Sequence, residues 1–380
     1  MTLALAALSV RDFRNLARVE LELPAAGLVV VGPNGHGKTN LLEAIHYLHT
    51  LRSVRGARDL DLVRFGAEAF HLAAHVIDAP IDEMRVGFAR VGKRKKVTLD
   101  GTECVRLADA FGAIPSVMFS PRDVELVAGA PTERRRFLDI ALATTSRRYL
   151  TALQRYRAAL VRRNASLRDA VKRGDSAQRA AVWEPALAEA GATLWCERVR
   201  WTQWAAPRLA ALCDAIGERQ RVTLQYHTSL EVDPGSAGEE DAVRVQLAAA
   251  FERDRPADLR RTLTHSGPHR DDLALKLGGR ALRTFGSAGQ QRTAAIALRL
   301  LERETLHTLA GRTPLVLLDD PFAELDVDRS RRILQVLQEG ARGQTILVVP
   351  RASDVPPEFT PLQRHDIRDG VLVTGDPAVA

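Results

Sequence analysis

The rhythm of apolar and polar positions falls into three regimes along the chain. In the first third, short apolar stretches with polar punctuation predict strands over 8–13, 19–23, 70–77, 84–91, 96–99 and 115–119. The run Gly27–Val31 is continuously apolar, largely β-branched and stops at Gly32, the pattern of a strand buried on both faces. Behind it Leu41, Leu42, Ala44, Ile45 and Leu48 recur at helical spacing and predict a helix over 38–48. Asp100-Gly101 reads as a hairpin turn, since both residues tolerate the left-handed backbone of a two-residue loop.

From about 121 to 217 the pattern is helical and Arg-rich. Leu153, Tyr156, Leu160 and Leu167 share one face, and Trp183, Leu187, Ala190 and Leu194 share another. Gly174-Asp175-Ser176 breaks between them, so a helical hairpin is expected. The last third mixes strands (222–226, 315–318, 345–349) with helices (290–309, 327–339). It also has a Gly- and acid-rich loop over 233–240 and a tail after Gly375 that reads as disordered. The expected architecture is an α/β body with a mixed sheet, formed by 1–119 and 216–380, carrying an inserted helical lobe at 120–215.

Composition narrows the class. With 46% hydrophobic and 27% charged residues, 380 residues suit one large or two smaller globular domains and exclude a mainly disordered or fibrous chain. No apolar run approaches the ~20 residues of a membrane helix, and the apolar stretch at 3–10 lacks the basic lead of a signal peptide. Cys104, Cys196 and Cys213 are odd in number and form no CxxC pair, which argues against a disulfide framework and suits a reducing cytoplasm. The net charge of +7 is mild and permits a polyanionic partner. Lysine is rare beside arginine, which singles out Lys38, Lys93, Lys95, Lys96, Lys172 and Lys276.

One of those lysines completes Gly32-Pro33-Asn34-Gly35-His36-Gly37-Lys38-Thr39, a full G-x-x-x-x-G-K-[ST] match between the predicted strand and helix. The glycines let backbone N–H groups cradle phosphate at a helix N-terminus; Lys38 reaches the β/γ-phosphates, and the Thr39 hydroxyl ligates Mg²⁺. Such a site needs a carboxylate at the end of a neighbouring buried strand. Leu315-Val-Leu-Leu-Asp319-Asp320 supplies a pair, Asp319 for the Mg²⁺ shell and Asp320 to polarise the attacking water. A third element, Ser287-Ala-Gly289-Gln290-Gln-Arg292, precedes a helix and offers a second phosphate-binding surface; a Ser N-cap explains the same residues. His265, His269, Asp271 and Asp272 can be drawn as a metal cluster, but strand alternation sets 269 and 271 against 272, which favours a structural role. Lys93-Arg-Lys-Lys96 reads either as a charged edge hairpin or as a nucleic-acid contact. Arg134, Arg135 and Arg136 read equally as nucleic-acid contacts or as internal partners.

The Ser287–Arg292 segment resembles the signature motif of ABC-type ATPases, and Ala323-Glu324-Leu325-Asp326 resembles their D-loop. The likeness sharpens to the RecF family, relatives of the SMC ATPases. It is carried by Phe13-Arg14-Asn15, by the P-loop continuing through Asn40 and Glu43 to Tyr47, and by Arg52-Ser-Val-Arg55. Phe119-Ser-Pro-Arg-Asp123, Gly129-Ala-Pro131, Arg134-Arg-Arg-Phe-Leu-Asp139, Arg163-Asn164 and Gly267-Pro-His-Arg-Asp-Asp272 follow in the family's order. The resemblance implies an ABC/SMC-type head with a helical second lobe, ATP and Mg²⁺ as ligands, and an ATP-dependent homodimer in which one copy's signature closes over the other copy's P-loop. It also implies DNA as partner, with RecO and RecR placing RecA on gapped DNA, and no membrane. DNA contacts would then come from Arg55, Arg58, Arg134, Arg135, Lys93 and Lys95. The chain departs from the family pattern at Ala323, where Ser is usual, at Asp320, where efficient ABC ATPases have Glu, and at Val348-Val-Pro-Arg351, where a Thr-rich run is usual. Slow, DNA-stimulated hydrolysis acting as a release timer is the expectation. The alternatives are a transporter-type ATPase subunit, a P-loop kinase, or a scaffold that binds ATP without hydrolysing it.

Overall fold

The fully buried run Gly27–Val31 stands inside a six-stranded sheet whose spatial order is Val371–Thr374, Gln363–Arg368, Gly27–Val31, Thr345–Val349, Leu315–Asp319, Ser116–Phe119. Five strands are parallel and the outermost, Val371–Thr374, is antiparallel. The structure is a computed structural model that describes residues 3–176, 178–230, 240–322, 325–339 and 343–374. Parallel strands need a layer on each face, which is why 27–31, 315–319 and 345–349 read as unbroken apolar runs. On one face lies the helix Lys38–Thr50, buried along almost all of its length. It packs on the parallel strands and also on Ala4–Phe13. That strand belongs to a six-stranded antiparallel sheet ordered Leu16–Glu22, Ala4–Phe13, Ala69–Ile77, Glu83–Ala89, Arg94–Leu99, Thr102–Glu103. One apolar core joins both sheets through the helix, from Phe13, Phe70 and Val86 across Leu41 and Ile45 to Leu317 and Ile346. Each fully buried aliphatic side chain there contributes roughly 1.5–3 kcal/mol. Asp100 and Gly101 both adopt positive φ, closing the expected hairpin between Arg94–Leu99 and Thr102–Glu103.

Two compact units divide the chain. One holds residues 1–123, 215–217 and 298–380; the other holds 124–214 and 218–297. The expected division, with 216–380 wholly in the first body, is therefore corrected: 218–297 groups with the helices. Ion pairs tie the helices of that second unit to residues 258 and 272. Arg163, in the helix Arg147–Arg173, is fully buried against Asp258 at 2.7 Å and Glu184 at 2.9 Å. Arg134, in Pro131–Thr145, forks onto Asp272 through two bonds of 2.8 Å.

The second unit contains the helices Pro131–Thr145 and Arg147–Arg173, most of Glu184–Ile216, and Glu240–Arg261. It also holds a small sheet of Val222–His227, Asp272–Leu277 and Arg280–Ala281. Gly174 ends Arg147–Arg173 in the left-handed conformation, its N–H returned to Ala170 and Val171. Gly191 permits close helix approach: a Cβ there would lie 3.1 Å from Leu247 and 3.2 Å from Tyr156. The helix Glu240–Arg261 has no counterpart in the sequence reading. Its interior Pro256 and sparse buried residues conceal the helical period, and Glu240, expected in a loop, is its first residue. The rest of the loop expected at 233–240 and the tail after Gly375 lie outside the described residues.

Candidate nucleotide-binding site

Residues 32–37 join the central strand to the helix Lys38–Thr50 in the first unit. Gly35 and Gly37 take φ of 86° and 110°, and a Cβ at Gly35 would meet nothing within 4 Å, so the loop's backbone is open where an anion would approach. Gly32 is demanded by packing, since a Cβ would sit 2.3 Å from the Ile367 carbonyl. The Lys38 ammonium donates to Gly32 O at 2.5 Å, Pro33 O at 2.9 Å and Asn34 Oδ1 at 3.4 Å. Burial lowers its pKa, against the charges of Asp319 and Asp320, which favour the ammonium. A cation folded onto its own loop's carbonyls is held ready for phosphate oxygens.

Thr39 Oγ1 donates to Asp319 Oδ1 at 3.0 Å, uniting loop and acidic strand across 280 positions of sequence. Burial raises the pKa of Asp319, with Thr39, Arg55 and Lys38 opposing. One hydroxyl and one carboxylate, both hard oxygen donors, suit Mg²⁺, which takes few protein ligands and fills its shell with phosphates and water. Among the described residues no group of three or more His, Cys, Asp or Glu could hold a metal ion alone. Asp320 follows with φ of 45°, its N–H bonded to Val348 O at 3.0 Å.

A layer behind the loop fixes it in place. Glu43 is fully buried and accepts from Arg14 at 3.0 and 3.1 Å, from Arg55 at 2.7 Å and from the Ser53 hydroxyl at 2.5 Å. Arg55 also donates to Asn40 Oδ1, and Asn40 donates to Asn15 Oδ1 at 2.7 Å. His36 is clasped from the carboxyl-terminal hairpin: Asp369 N donates to its Nδ1 and Gly370 N to its carbonyl, both at 3.0 Å. Sequence reasoning missed this hairpin and gave Arg14, Asn15 and Glu43 no role beyond the family likeness. The signal was present, because Asp369-Gly370 is the same turn dipeptide as Asp100-Gly101 and takes positive φ at both residues.

In the second unit, Ser287 caps the helix Ala288–Ala310: its Oγ accepts from Gln290 N at 3.3 Å while its own N–H donates to Gln290 Oε1 at 3.0 Å. The cap and the phosphate-binding reading coexist, since Ser287 is exposed and Gly289 follows it. Asp326 accepts from Arg329 N at 2.8 Å and caps Val327–Glu339. Ala323 and Glu324 lie outside the described residues.

Several cations named as DNA contacts turn inward. Arg134 is 6% exposed and spends its guanidinium on Asp272 and the carbonyls of Val127 and Gly129. Lys95 pairs with Asp59 at 2.8 Å, donates to Leu51 O at 2.7 Å and lies over the Tyr47 ring. Arg55 serves Glu43 and Asn40, and Arg135 is half-buried with a bond to Asp271 O at 2.8 Å. Arg58 and Lys93 are exposed. The residues drawn as a metal cluster serve separate internal bonds. His265 bonds Asp258, His269 bonds Tyr156 and the Thr264 carbonyl, Tyr226 donates to Asp271, and Asp272 holds Arg134.

Comparison with known proteins gives one family. Residues 4–355 match the profile of the RecF/RecN/SMC N terminal domain. A protein of Anaeromyxobacter sp. (strain K) named DNA replication and repair protein RecF is 41% identical over 338 residues, covering 88% of this chain and 89% of that one. A protein of the same name from Synechococcus sp. (strain JA-3-3Ab) is 37% identical over 337 residues, 88% of each. Among solved structures, the recombination mediator protein RecF with ATP, described as acting in the RecFOR pathway, superposes with a TM-score of 0.89 at 30% identity over 99% of this chain and 98% of that one. An Smc head bound to the C-winged helix domain of ScpA shares the fold alone, with a TM-score of 0.54 at 16% identity over 98% of this chain and 97% of that one.

Proposed function

Because the chain belongs to the RecF family of SMC-type ATPases, we propose that it is an ATP-gated DNA-binding protein of replication and recombinational repair. The observation that carries the reading is the convergence of Lys38, Thr39, Asp319 and Asp320 at the carboxyl ends of parallel strands, where α/β sheets bind ligands. Lys38 and the backbone N–H groups of 35–39 hold the phosphates of ATP. Thr39 and Asp319 hold Mg²⁺, which when bound supplies charge neutralisation on the phosphate oxygens. Asp320 orients water for hydrolysis. Its side chain is one methylene shorter than Glu, which supports slow turnover that resets the protein rather than powering it.

Ser287, Gly289, Gln290 and Arg292 of one copy close over the ATP held by the second copy, with the segment Glu324–Asp326 alongside, so that ATP favours the dimer by mass action. DNA is bound chiefly through phosphates by exposed Arg and Lys, Arg58 and Lys93 among them. RecO, RecR and RecA are the partners, in keeping with the RecFOR description of the solved relative.

The test is the mass in solution with ATP, ADP or no nucleotide, together with binding to duplex and gapped DNA, for wild type, Lys38→Arg and Ser287→Arg. A dimer seen only with ATP, absent in Ser287→Arg and accompanied by DNA binding, is the expected result. A monomer under every condition that phosphorylates a small acceptor, with Ser287→Arg fully active, would overturn the reading in favour of a kinase.

A further inference from the structure

Glu218 stands in the short connection from the helix Glu184–Ile216 to the strand Val222–His227, its N–H donating to Cys213 O at 2.9 Å. Only 7% of the residue is exposed. Its Oε1 accepts from Gln220 N at 3.1 Å and from Gln290 Nε2 at 3.4 Å, and Oε2 has no hydrogen-bond partner among the described residues. A solvated side chain would satisfy Gln220 N at less cost, because a buried carboxylate with a spare oxygen is expensive to keep. What the burial secures is the contact with Gln290, the residue that also closes the cap at Ser287. A side-chain amide has one acceptor end and one donor end. Here Oε1 faces Ser287 N and Nε2 faces the carboxylate. Rotated by half a turn, the amide would set donor against donor at Ser287 and acceptor against acceptor at Glu218, so the carboxylate fixes its sense. Ser287 Oγ accepts from Gln290 N and keeps its own O–H to donate. The turn ahead of the cap is held separately by Gln291, whose Nε2 donates to the carbonyls of Arg283 at 3.0 Å, Gly286 at 3.2 Å and Leu282 at 3.4 Å.

We propose that Glu218 is a positioning residue for the phosphate-binding turn at Ser287–Gln290. It touches no nucleotide. By holding Gln290 Nε2 it fixes the cap in the arrangement that leaves the Ser287 hydroxyl to donate to a phosphate of the ATP bound to a second copy. Its effect therefore falls on assembly of the dimer and not on the first binding of ATP at residues 32–39. The inference rests on the reading of Ser287–Arg292 as the surface that closes over the second copy's ATP.

Two quantities are measured on the full chain: Mg-ATP affinity at protein concentrations too low for dimers, and the dimer dissociation constant in saturating Mg-ATP by sedimentation. The variants are Glu218→Ala, Glu218→Gln, Gln290→Ala, the double variant Glu218→Ala with Gln290→Ala, and Ser287→Arg. Glu218→Ala should weaken the dimer by about tenfold or more while changing single-copy ATP affinity by less than about twofold. Glu218→Gln, which keeps an acceptor oxygen for Gln290 Nε2, should recover most of the loss. The double variant should be no weaker than Gln290→Ala alone, because both changes break one contact. Losses that add in the double variant, or a loss of single-copy ATP affinity as large as the loss of dimer, overturn the proposal in favour of a general structural role. Should Glu218→Ala not fold, Glu218→Gln with Gln290→Ala decides: a dimer of wild-type strength in Gln290→Ala overturns the proposal. Ser287→Arg tests the underlying reading separately. If it dimerises with ATP as wild type does, that reading fails. If it does not, while Glu218→Ala dimerises normally, only the role of Glu218 fails.

Discussion

Glu43 has the most concentrated set of partners behind the phosphate loop: two arginines and a serine converge on one fully buried carboxylate. Removing one partner of a buried ion pair strands the others, at a cost of about 3–5 kcal/mol. Glu43→Ala should fall at the lower end, about 3 kcal/mol, because Arg14 and Arg55 keep some contact with water. Chemical unfolding would read the loss, and ATP affinity should fall with it as Arg55 no longer steadies Asn40. His49, on the same helix, makes a prediction about pH. Burial pushes its pKa down to about 4, whereas an unfolded histidine titrates near ~6.5. Between those values only the unfolded chain takes up the proton. Stability is therefore complete above about pH 6.5 and declines as pH falls towards 4, by about 3 kcal/mol from this residue. Its Nδ1 lies 2.7 Å from Ser116 O and 3.0 Å from Ser116 N, polar contacts that an asparagine amide can reproduce. His49→Asn should accordingly unfold with a flatter acid dependence than wild type, measured by urea midpoints between pH 4 and 7.

Among elements, the carboxyl-terminal hairpin, Gln363–Arg368 with Val371–Thr374, positions the site most directly. Gly370 has φ of 79°, and a Cβ there would lie 2.4 Å from the Asn15 carbonyl. Gly370→Ala should cost about 1–3 kcal/mol from backbone strain and collision. It should also weaken ATP binding, since Gly370 N holds the His36 carbonyl; thermal unfolding and nucleotide titration check the two effects. This hairpin marks the limit of what the sequence discloses. Strands 27–31, 315–319 and 345–349 were legible because a parallel strand covered on both faces must be apolar at every position. Within Gln363–Arg368 only His365 and Ile367 are buried, so it presents no run and too little alternation to be read. The same asymmetry holds in the site. Lys38, Thr39, Asp319 and Asp320 were recognisable from residue type and spacing, because phosphate and Mg²⁺ chemistry restrict both. Arg14, Asn15, Glu43 and Asp369 support them through contacts that only folding brings together. Arg134 and Lys95 show the converse: basic residues suggest DNA, yet a half-buried carboxylate claims each of them.

For the whole molecule, the DNA binding proposed above would rest mainly on phosphate contact, given a surplus of seven positive charges and few aromatic residues. With ATP present, log affinity for duplex DNA should fall linearly with log salt, and scrambling the DNA sequence should change it little; fluorescence anisotropy across a salt series tests both. Arg58→Ala with Lys93→Ala should make the slope shallower by about one to two units. Arg134→Ala should instead unfold the second unit more readily, because it deserts Asp272.

The parallel sheet has a further consequence when the chain is followed as it is made. Ribosomes deliver about 5–20 residues per second, and the antiparallel sheet, drawn from Ala4–Glu103, can pair as soon as it leaves the exit tunnel. The strand Gly27–Val31 has to wait. Its two neighbours, Thr345–Val349 and Gln363–Arg368, emerge more than three hundred residues later, tens of seconds into synthesis. Until then the phosphate loop has no sheet to hang from, and a nascent or prematurely terminated chain has no complete ATP site. If ATP drives dimerisation on DNA as proposed above, only a chain that extends through Gln363–Arg368 can take part, and shorter fragments are kept off DNA by the order in which the strands are translated.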